Sequence, residues 1–385
     1  MKAFKITVSV ITLIAFAVVV GIALWTSCSP PPNPATEGET PPLRFSEDGT
    51  FTILHLTDFH EWMGIEKEGL FNIEIQDSLK PLLVEYVTKT LDEVKPDLVV
   101  LGGDNVFPLS MLADIGKNSV SLNTYRAIAS LFEERSQYWT LTFGNHDSEC
   151  VMNKDDFMLA LSEYSFFIGG MNDGKWFSAA VFESDETVDG VAVDDYVGNF
   201  SIPVYDNSGT EILYNVFILD SGSFVKTAPA GASYRYITAE QTEWYLDQSE
   251  KLEQKTGGIV PAVMFTHIPL MEMKEAYELN GAADGDIYAG FSLSDTRSPI
   301  FKALFERGDV KGIFFGHEHL EDATVFYTEG DRSVMMGLTK MAQAQSYSDT
   351  TSVMNSRVIT LSADGGMSTY VSDSTGHTGK TVTLP

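Results

Sequence analysis

Short apolar runs recur along this chain, and each of the main ones gives way to a cluster of Asp, Asn, His and Gly. Residues 51–57 read as a strand ended by Asp58-Phe59-His60. Leu79, Leu82, Leu83, Tyr86, Val87, Leu91 and Val94 then recur at helical spacing until Pro96. Residues 97–101 form a continuous apolar strand, broken by Gly102-Gly103-Asp104-Asn105. Strand, helix and strand in that order predict parallel pairing through a crossover helix. The pattern repeats with a helix over 124–134 and a strand at 138–143 ended by Gly144-Asn145-His146-Asp147. A strand at 214–219 ends at Asp220-Ser221-Gly222, Thr238 caps a helix, and a strand at 259–265 ends at Thr266-His267-Ile268-Pro269. A helix over 299–305 precedes the last of these strands, 312–315, which ends at Gly316-His317-Glu318-His319. Open α/β sheets bind ligands beyond the carboxyl ends of their strands, so the recurrence gathers the clusters on one rim. From Ala323 onward, short β runs with turns such as Asp364-Gly365-Gly366 predict a closing antiparallel section. Two stretches fit the alternation poorly. Residues 149–196 read as an exposed β insertion, and the Gly-rich 278–295, set between two His clusters, reads as a substrate loop.

Composition places this pattern in a globular protein: 385 residues, 44% apolar and 21% charged. The net charge of −29 excludes a basic face for nucleic acid. An anionic substrate would then need local positive charge, which a bound divalent metal supplies most simply. No protein partner is expected. At the N-terminus, Lys2 and Lys5 precede an uncharged apolar run reaching Trp25, long enough to span a bilayer and oriented to place the rest outside. A cleaved signal and a retained anchor both fit. Thr26-Ser27-Cys28-Ser29 resembles the lipidation box of bacterial lipoproteins. The expected organisation is a signal or membrane anchor at 1–27, a Pro/Glu-rich linker at 28–48 and a catalytic domain at 49–385, exported and tethered through the apolar segment or a lipidated Cys28.

The chain has seven histidines, and five of them (His60, His146, His267, His317 and His319) follow strand-like runs beside Asp, Asn or Gly. Singly, each would be an ordinary core histidine. As a set with Asp58, Asp104 and Asn145, they supply imidazole nitrogen and hard oxygen without thiolate, a donor set for Zn, Mn or Fe rather than for a zinc finger. Two ions about 3.5–4 Å apart can share a bridging carboxylate and clamp the attacking and leaving oxygens of a phosphoryl displacement, which needs no Ser or Cys nucleophile. His55 lies outside every cluster and reads as a core residue, His377 as a solvated one.

The ordered series Asp58-x-His60, Gly102-Gly103-Asp104-Asn105, Gly144-Asn145-His146-Asp147, His267 and Gly316-His317-Glu318-His319 resembles the calcineurin-like metallophosphoesterase superfamily, in particular its single-domain, purple-acid-phosphatase-like branch. The resemblance spans roughly 51–322. It implies an α/β fold, a four-layer αββα sandwich, preceded here by an apolar helix and linker. It also implies two divalent metal ions (Mn, Zn or Fe), with Asp58, His60 and His319 on the first, Asn145, His267 and His317 on the second, and Asp104 between them. His146 would contact the phosphate and protonate the leaving oxygen, oriented by Asp147. Phe107 stands where purple acid phosphatases carry the tyrosine that colours their ferric centre, so a colourless centre is expected. No second, C-terminal substrate domain is expected either, which counts against a 5′-nucleotidase. The expected activity is hydrolysis of a phosphorylated small molecule, a monoester first and a diester as alternative. A non-catalytic surface binding protein on the same scaffold is the reading of another class.

Overall fold

The computed structural model describes residues 42–384 apart from 64, 69–71, 76, 108–118, 170–176, 185–186, 189–190, 193–194, 229–230, 344–352 and 377–378. The expected apolar segment at 1–27, most of the expected linker, Cys28 and His377 lie outside the described residues.

In chain order the strands of the two main sheets are β1 (Thr50–Leu56), β2 (Leu98–Leu101), β3 (Trp139–Leu141), β4 (Ser178–Phe182), β5 (Tyr196–Tyr205), β6 (Ile212–Ile218), β7 (Ala262–Thr266), β8 (Val310–Phe315), β9 (Thr324–Glu329), β10 (Arg332–Leu338), β11 (Asn355–Ser362), β12 (Met367–Asp373) and β13 (Val382–Thr383). The helices are α1 (Pro81–Val94), α2 (Val120–Glu133), α3 (Lys154–Leu161), α4 (Ala239–Thr256), α5 (Met271–Asn280) and α6 (Ile300–Arg307). The first sheet runs β13-β12-β11-β1-β2-β3 and the second β9-β10-β8-β7-β6-β5-β4. Strands β1, β2 and β3 are parallel, with α1 and α2 as the crossovers the sequence predicts. Strands β6, β7, β8 and β10 are also parallel.

Local chemistry sets the helix ends. Pro81 opens α1, and Lys95, in the left-handed region at φ 50°, closes it by donating its N–H to Leu91 O just before Pro96. Thr238 and Gln241 form a reciprocal capping box on α4.

Side chains on the second sheet alternate between two cores. Val216, Ile218, Val263, Phe265 and Phe314 pack with the first sheet, while Phe217, Leu219, Ala262, Met264, Ile313 and Phe315 pack under α4, α5 and α6. Helices α1 and α2 cover the first sheet through Leu83, Tyr86, Val87, Leu91, Tyr125, Ile128 and Phe132. The layers are therefore helix, sheet, sheet, helix: two mixed sheets flanked by helices.

Three expectations change. The domain begins before residue 49: Leu43 and Phe45 are buried, and backbone hydrogen bonds tie them to Tyr205 on β5. The stretch 149–196 is more than a β insertion, because it holds α3, whose Phe157, Met158 and Leu161 enter the core. The closing strands divide between the sheets: β9 and β10 extend the second, where β10 runs parallel to β8, whereas β11 to β13 extend the first beside β1.

Lys154, at the start of α3, is buried and donates to Asp220 Oδ2 at 2.6 Å, after the end of β6. Asp220 also accepts the N–H groups of Val197 and Gly222. Lys154→Met leaves those two donors in place but removes the opposite charge, so a loss of about 3 kcal/mol is expected, at the low end for breaking a buried pair. The measurement is the urea midpoint at unchanged slope.

Candidate metal centre

Every side chain that the sequence assigns to metal follows the carboxyl end of a parallel strand: Asp58 and His60 after β1, Asp104 after β2, Asn145 after β3, His267 after β7, and His317 and His319 after β8. Beyond the sheets the loops are tied to one another. Asp58 and His60 donate their backbone N–H groups to Gly103 O and Asp104 O, and Gly316 N–H donates to His267 O. Four of these residues have left-handed backbones: Asp58 (φ 55°), His60 (45°), Asp104 (50°) and His317 (71°). Such conformations are uncommon outside glycine and persist where surrounding structure enforces them. Glycine makes the close approach possible. A side-chain carbon at Gly144 would stand 2.2 Å from Asp104 Oδ1, and one at Gly316 would stand 2.1 Å from Thr57 Oγ1.

The donors converge in two groups that share one carboxylate. Asp58, His60, Asp104 and His319 form the first and Asp104, His267 and His317 the second, with the candidate ligand atoms of each group within 4.8 Å of one another. His60 Nε2 lies 3.0 Å from His319 Nε2, 3.5 Å from Asp58 Oδ1 and 3.7 Å from Asp104 Oδ2. His267 Nε2 lies 3.3 Å from the same Asp104 Oδ2.

Each carboxylate is held by one oxygen and presents the other. Thr57 Oγ1–H and His317 N–H donate to Asp58 Oδ2, and His146 N–H donates to Asp104 Oδ1. The His267 Nδ1–H donates to Gly102 O at 2.7 Å, which fixes the ring and turns Nε2 inward. Asp58 Oδ1, Asp104 Oδ2, Asn145 Oδ1, His267 Nε2 and His317 Nε2 are buried without a hydrogen-bond partner among the described residues. Buried polar atoms are almost always partnered, and a cation bound among these donors would satisfy them together.

The charges favour a cation too. Burial alone would raise the pKa of Asp58, but the His319 and His60 rings beside it hold it well below the usual range. Burial opposes a charge on His267, yet Asp104 and the Gly102 carbonyl outweigh it and push its pKa up to about 10, so a proton is what a cation would displace from its Nε2. Burial and the charge of His267 push His317 down to about 3, which keeps its nitrogen available as a donor.

Asp147 is a correction. Its Oδ1 accepts from the N–H groups of Asn105 and Val106 and from Tyr125 Oη, and its Oδ2 from Gly144 N–H. The carboxylate therefore braces the loops carrying Asp104 and Asn145, and among the described residues the carboxylate that His146 Nδ1 meets is that of Glu149, whose Oε2 accepts from it at 2.6 Å. A short 3-10 turn over Asp147–Glu149 makes that contact, and the i, i+3 spacing was its only trace in the sequence. Sequence reading also missed Thr57. His55 is a core residue, its ring 5.1 Å from Phe265 and its Nδ1 2.9 Å from Thr339 Oγ1. Glu318 accepts the Ser292 N–H, tying the expected substrate loop to the ligand segment.

Two mixed sheets between helices, with a carboxylate shared by two imidazole-rich donor groups above the strand ends, define a metal-binding phosphoesterase scaffold. The chain belongs to the calcineurin-like phosphoesterase family, whose sequence description matches residues 51–321. It is similar to two Arabidopsis thaliana proteins named probable inactive purple acid phosphatase 28 and 29. The identities are 27% over 294 residues (73% of this chain, 68% of the relative) and 27% over 306 residues (76% and 72%). Among solved structures it is similar to GAP50, the anchor in the inner membrane complex of Plasmodium (TM-score 0.41, 11% identity, 87% of this chain and 88% of that one). A 5′-nucleotidase precursor from Thermus thermophilus also matches (TM-score 0.38, 12% identity, 87% and 54%).

Proposed function

We propose that this protein hydrolyses phosphomonoesters at a centre of two divalent metal ions (Mn, Zn or Fe). The observation that carries the reading is Asp104, a buried carboxylate common to both donor groups. Asp58, His60 and His319 would hold one ion and Asn145, His267 and His317 the other, with Asp104 between them. Bound there, the ions supply the positive charge that offsets a phosphate dianion and makes water acidic near neutral pH. The chain's own residues do the rest. Glu149 fixes the His146 proton on Nδ1, so Nε2 is the atom that would carry a proton to the leaving oxygen. Burial opposes a charge on that ring, but Asp104 and Glu149 outweigh it and raise its pKa above the ordinary imidazole value, as suits a general acid. Glu149→Gln is expected to lower kcat about tenfold on a fully metal-loaded protein, part of the roughly 10²–10⁴-fold that a general acid contributes, with metal content unchanged by elemental analysis.

Assay of para-nitrophenyl phosphate against its bis ester, with Mn, Zn or Fe supplied, tests the reading. The monoester is expected to turn over at least about ten times faster, a barrier difference near 1.4 kcal/mol. Release from neither ester with any of the three metals would support the non-catalytic reading, which the names of the Arabidopsis relatives favour. The exported, tethered placement rests on the N-terminal sequence alone. Full-length protein is expected in the detergent phase of a partition experiment, and its recovery in water would sink the tether.

A further inference from the structure

His146 stands among aromatic rings that the metal chemistry does not use. Phe107 meets it edge-on with centroids 4.8 Å apart, and Phe224 meets it at 5.9 Å. Phe224 opens a two-stranded hairpin, Phe224–Ala228 paired with Gly231–Tyr234, in which Phe224 lies directly opposite Tyr234. These two rings are 5.3 Å apart, and Tyr234 sits edge-on against His317 at 4.5 Å. The three aromatics and His146 are each half-buried, as is His319, whereas Asp58, Asp104, Asn145 and His267 are buried. The half-buried groups therefore form the part of the centre that a substrate meets. The base of the hairpin is fixed, since Arg235 donates its backbone N–H to Ser223 O and stacks its guanidinium on Tyr196 at 3.9 Å. Beside His146, the exposed Glu149 places a negative charge on the same side.

From this arrangement we infer that Phe107 and Phe224, backed by Tyr234, select the leaving group, and that the preferred substrates are phosphomonoesters of uncharged aromatic alcohols. The inference rests on the proposed function: Phe107 and Phe224 both touch the His146 ring, so the organic group of a phosphate ester held beside that ring lies against them. A planar apolar group gains ring contacts there. A polyol would strip water from its hydroxyls against apolar faces, and an anionic leaving group would meet Glu149.

Benzyl phosphate and glycerol 3-phosphate, whose alcohols differ little in acidity, test it by kcat/KM on the metal-loaded full-length protein. Benzylphosphonate and 2,3-dihydroxypropylphosphonate test it by calorimetric binding without turnover. Wild type is expected to prefer the benzyl compound about tenfold or more in both measurements. Phe224→Ala should reduce that ratio about threefold to tenfold, the worth of one aromatic contact. Phe224→Leu, which keeps apolar bulk for folding, should reduce it less. Equal affinity for the two phosphonates, or a ratio that Phe224→Ala leaves unchanged, overturns the inference. Selective phosphonate binding without hydrolysis of any ester would sustain the recognition of the aromatic group by these rings while defeating the catalytic reading.

Discussion

Asp104→Asn is expected to lower phosphate release about a thousandfold or more, a barrier increase of roughly 4 kcal/mol, and to reduce bound metal in both donor groups. The reason is placement rather than charge alone. Among the described residues, Asp104 Oδ2 is the carboxylate oxygen that both groups reach, 3.7 Å from His60 Nε2 and 3.3 Å from His267 Nε2. An amide in its place can still accept the His146 N–H through oxygen, as Oδ1 does now at 2.8 Å. It would then turn an NH2 group toward two rings and any cation between them. The loop should survive and the centre should not. Asn145→Ala is the contrasting variant, because it removes a donor from one side only. Elemental analysis of both purified variants, beside their rates on para-nitrophenyl phosphate, separates the cases. Full metal content in Asp104→Asn would show that the two donor groups do not depend on a shared carboxylate.

The convergence of these donor side chains was readable from the sequence because the relevant residues lie next to the strand ends in the chain. Asp58-Phe59-His60 follows β1, and His317-Glu318-His319 follows β8, so a parallel sheet brings them to one edge whatever the detail of the loops. The two-sheet architecture came from resemblance. Strand periodicity could not supply it, since 216–219 and 262–265 are apolar at every position and give no sign that alternate residues serve different cores. Helix α3 was hidden for a related reason: eight residues with two aspartates at the start carry little helical period, and the aromatics that follow read as strand. Contacts made across long sequence separations had no trace at all. Phe224 meets His146 only because a hairpin folds over the rim, and Asp147 meets Asn105 and Val106 only because the loops after β2 and β3 lie side by side.

That last contact sets the second large effect. The family resemblance implies that Asp147 orients His146 from behind. In the fold it is a buried anion that receives three backbone N–H groups and one phenol. Burial and the nearby charge of Asp104 raise its pKa to about 6, while these donors act in the opposite direction. Asp147→Ala would leave Asn105, Val106 and Gly144 with buried N–H groups facing a void. At about 1–3 kcal/mol for each orphaned donor, the expected loss is roughly 5 kcal/mol, a large share of the stability of an ordinary domain. Asp147→Asn should fall between this and wild type, since its amide oxygen can keep only part of the donor set. The measurement is urea unfolding of the metal-free protein, which removes any contribution of bound cations to the native state. A residue that served only to aim His146 would leave that curve unmoved and depress kcat alone, the behaviour assigned here to Glu149. Stability loss for Asp147→Ala with none for Glu149→Gln would therefore separate the loop brace from the residue that directs the proton.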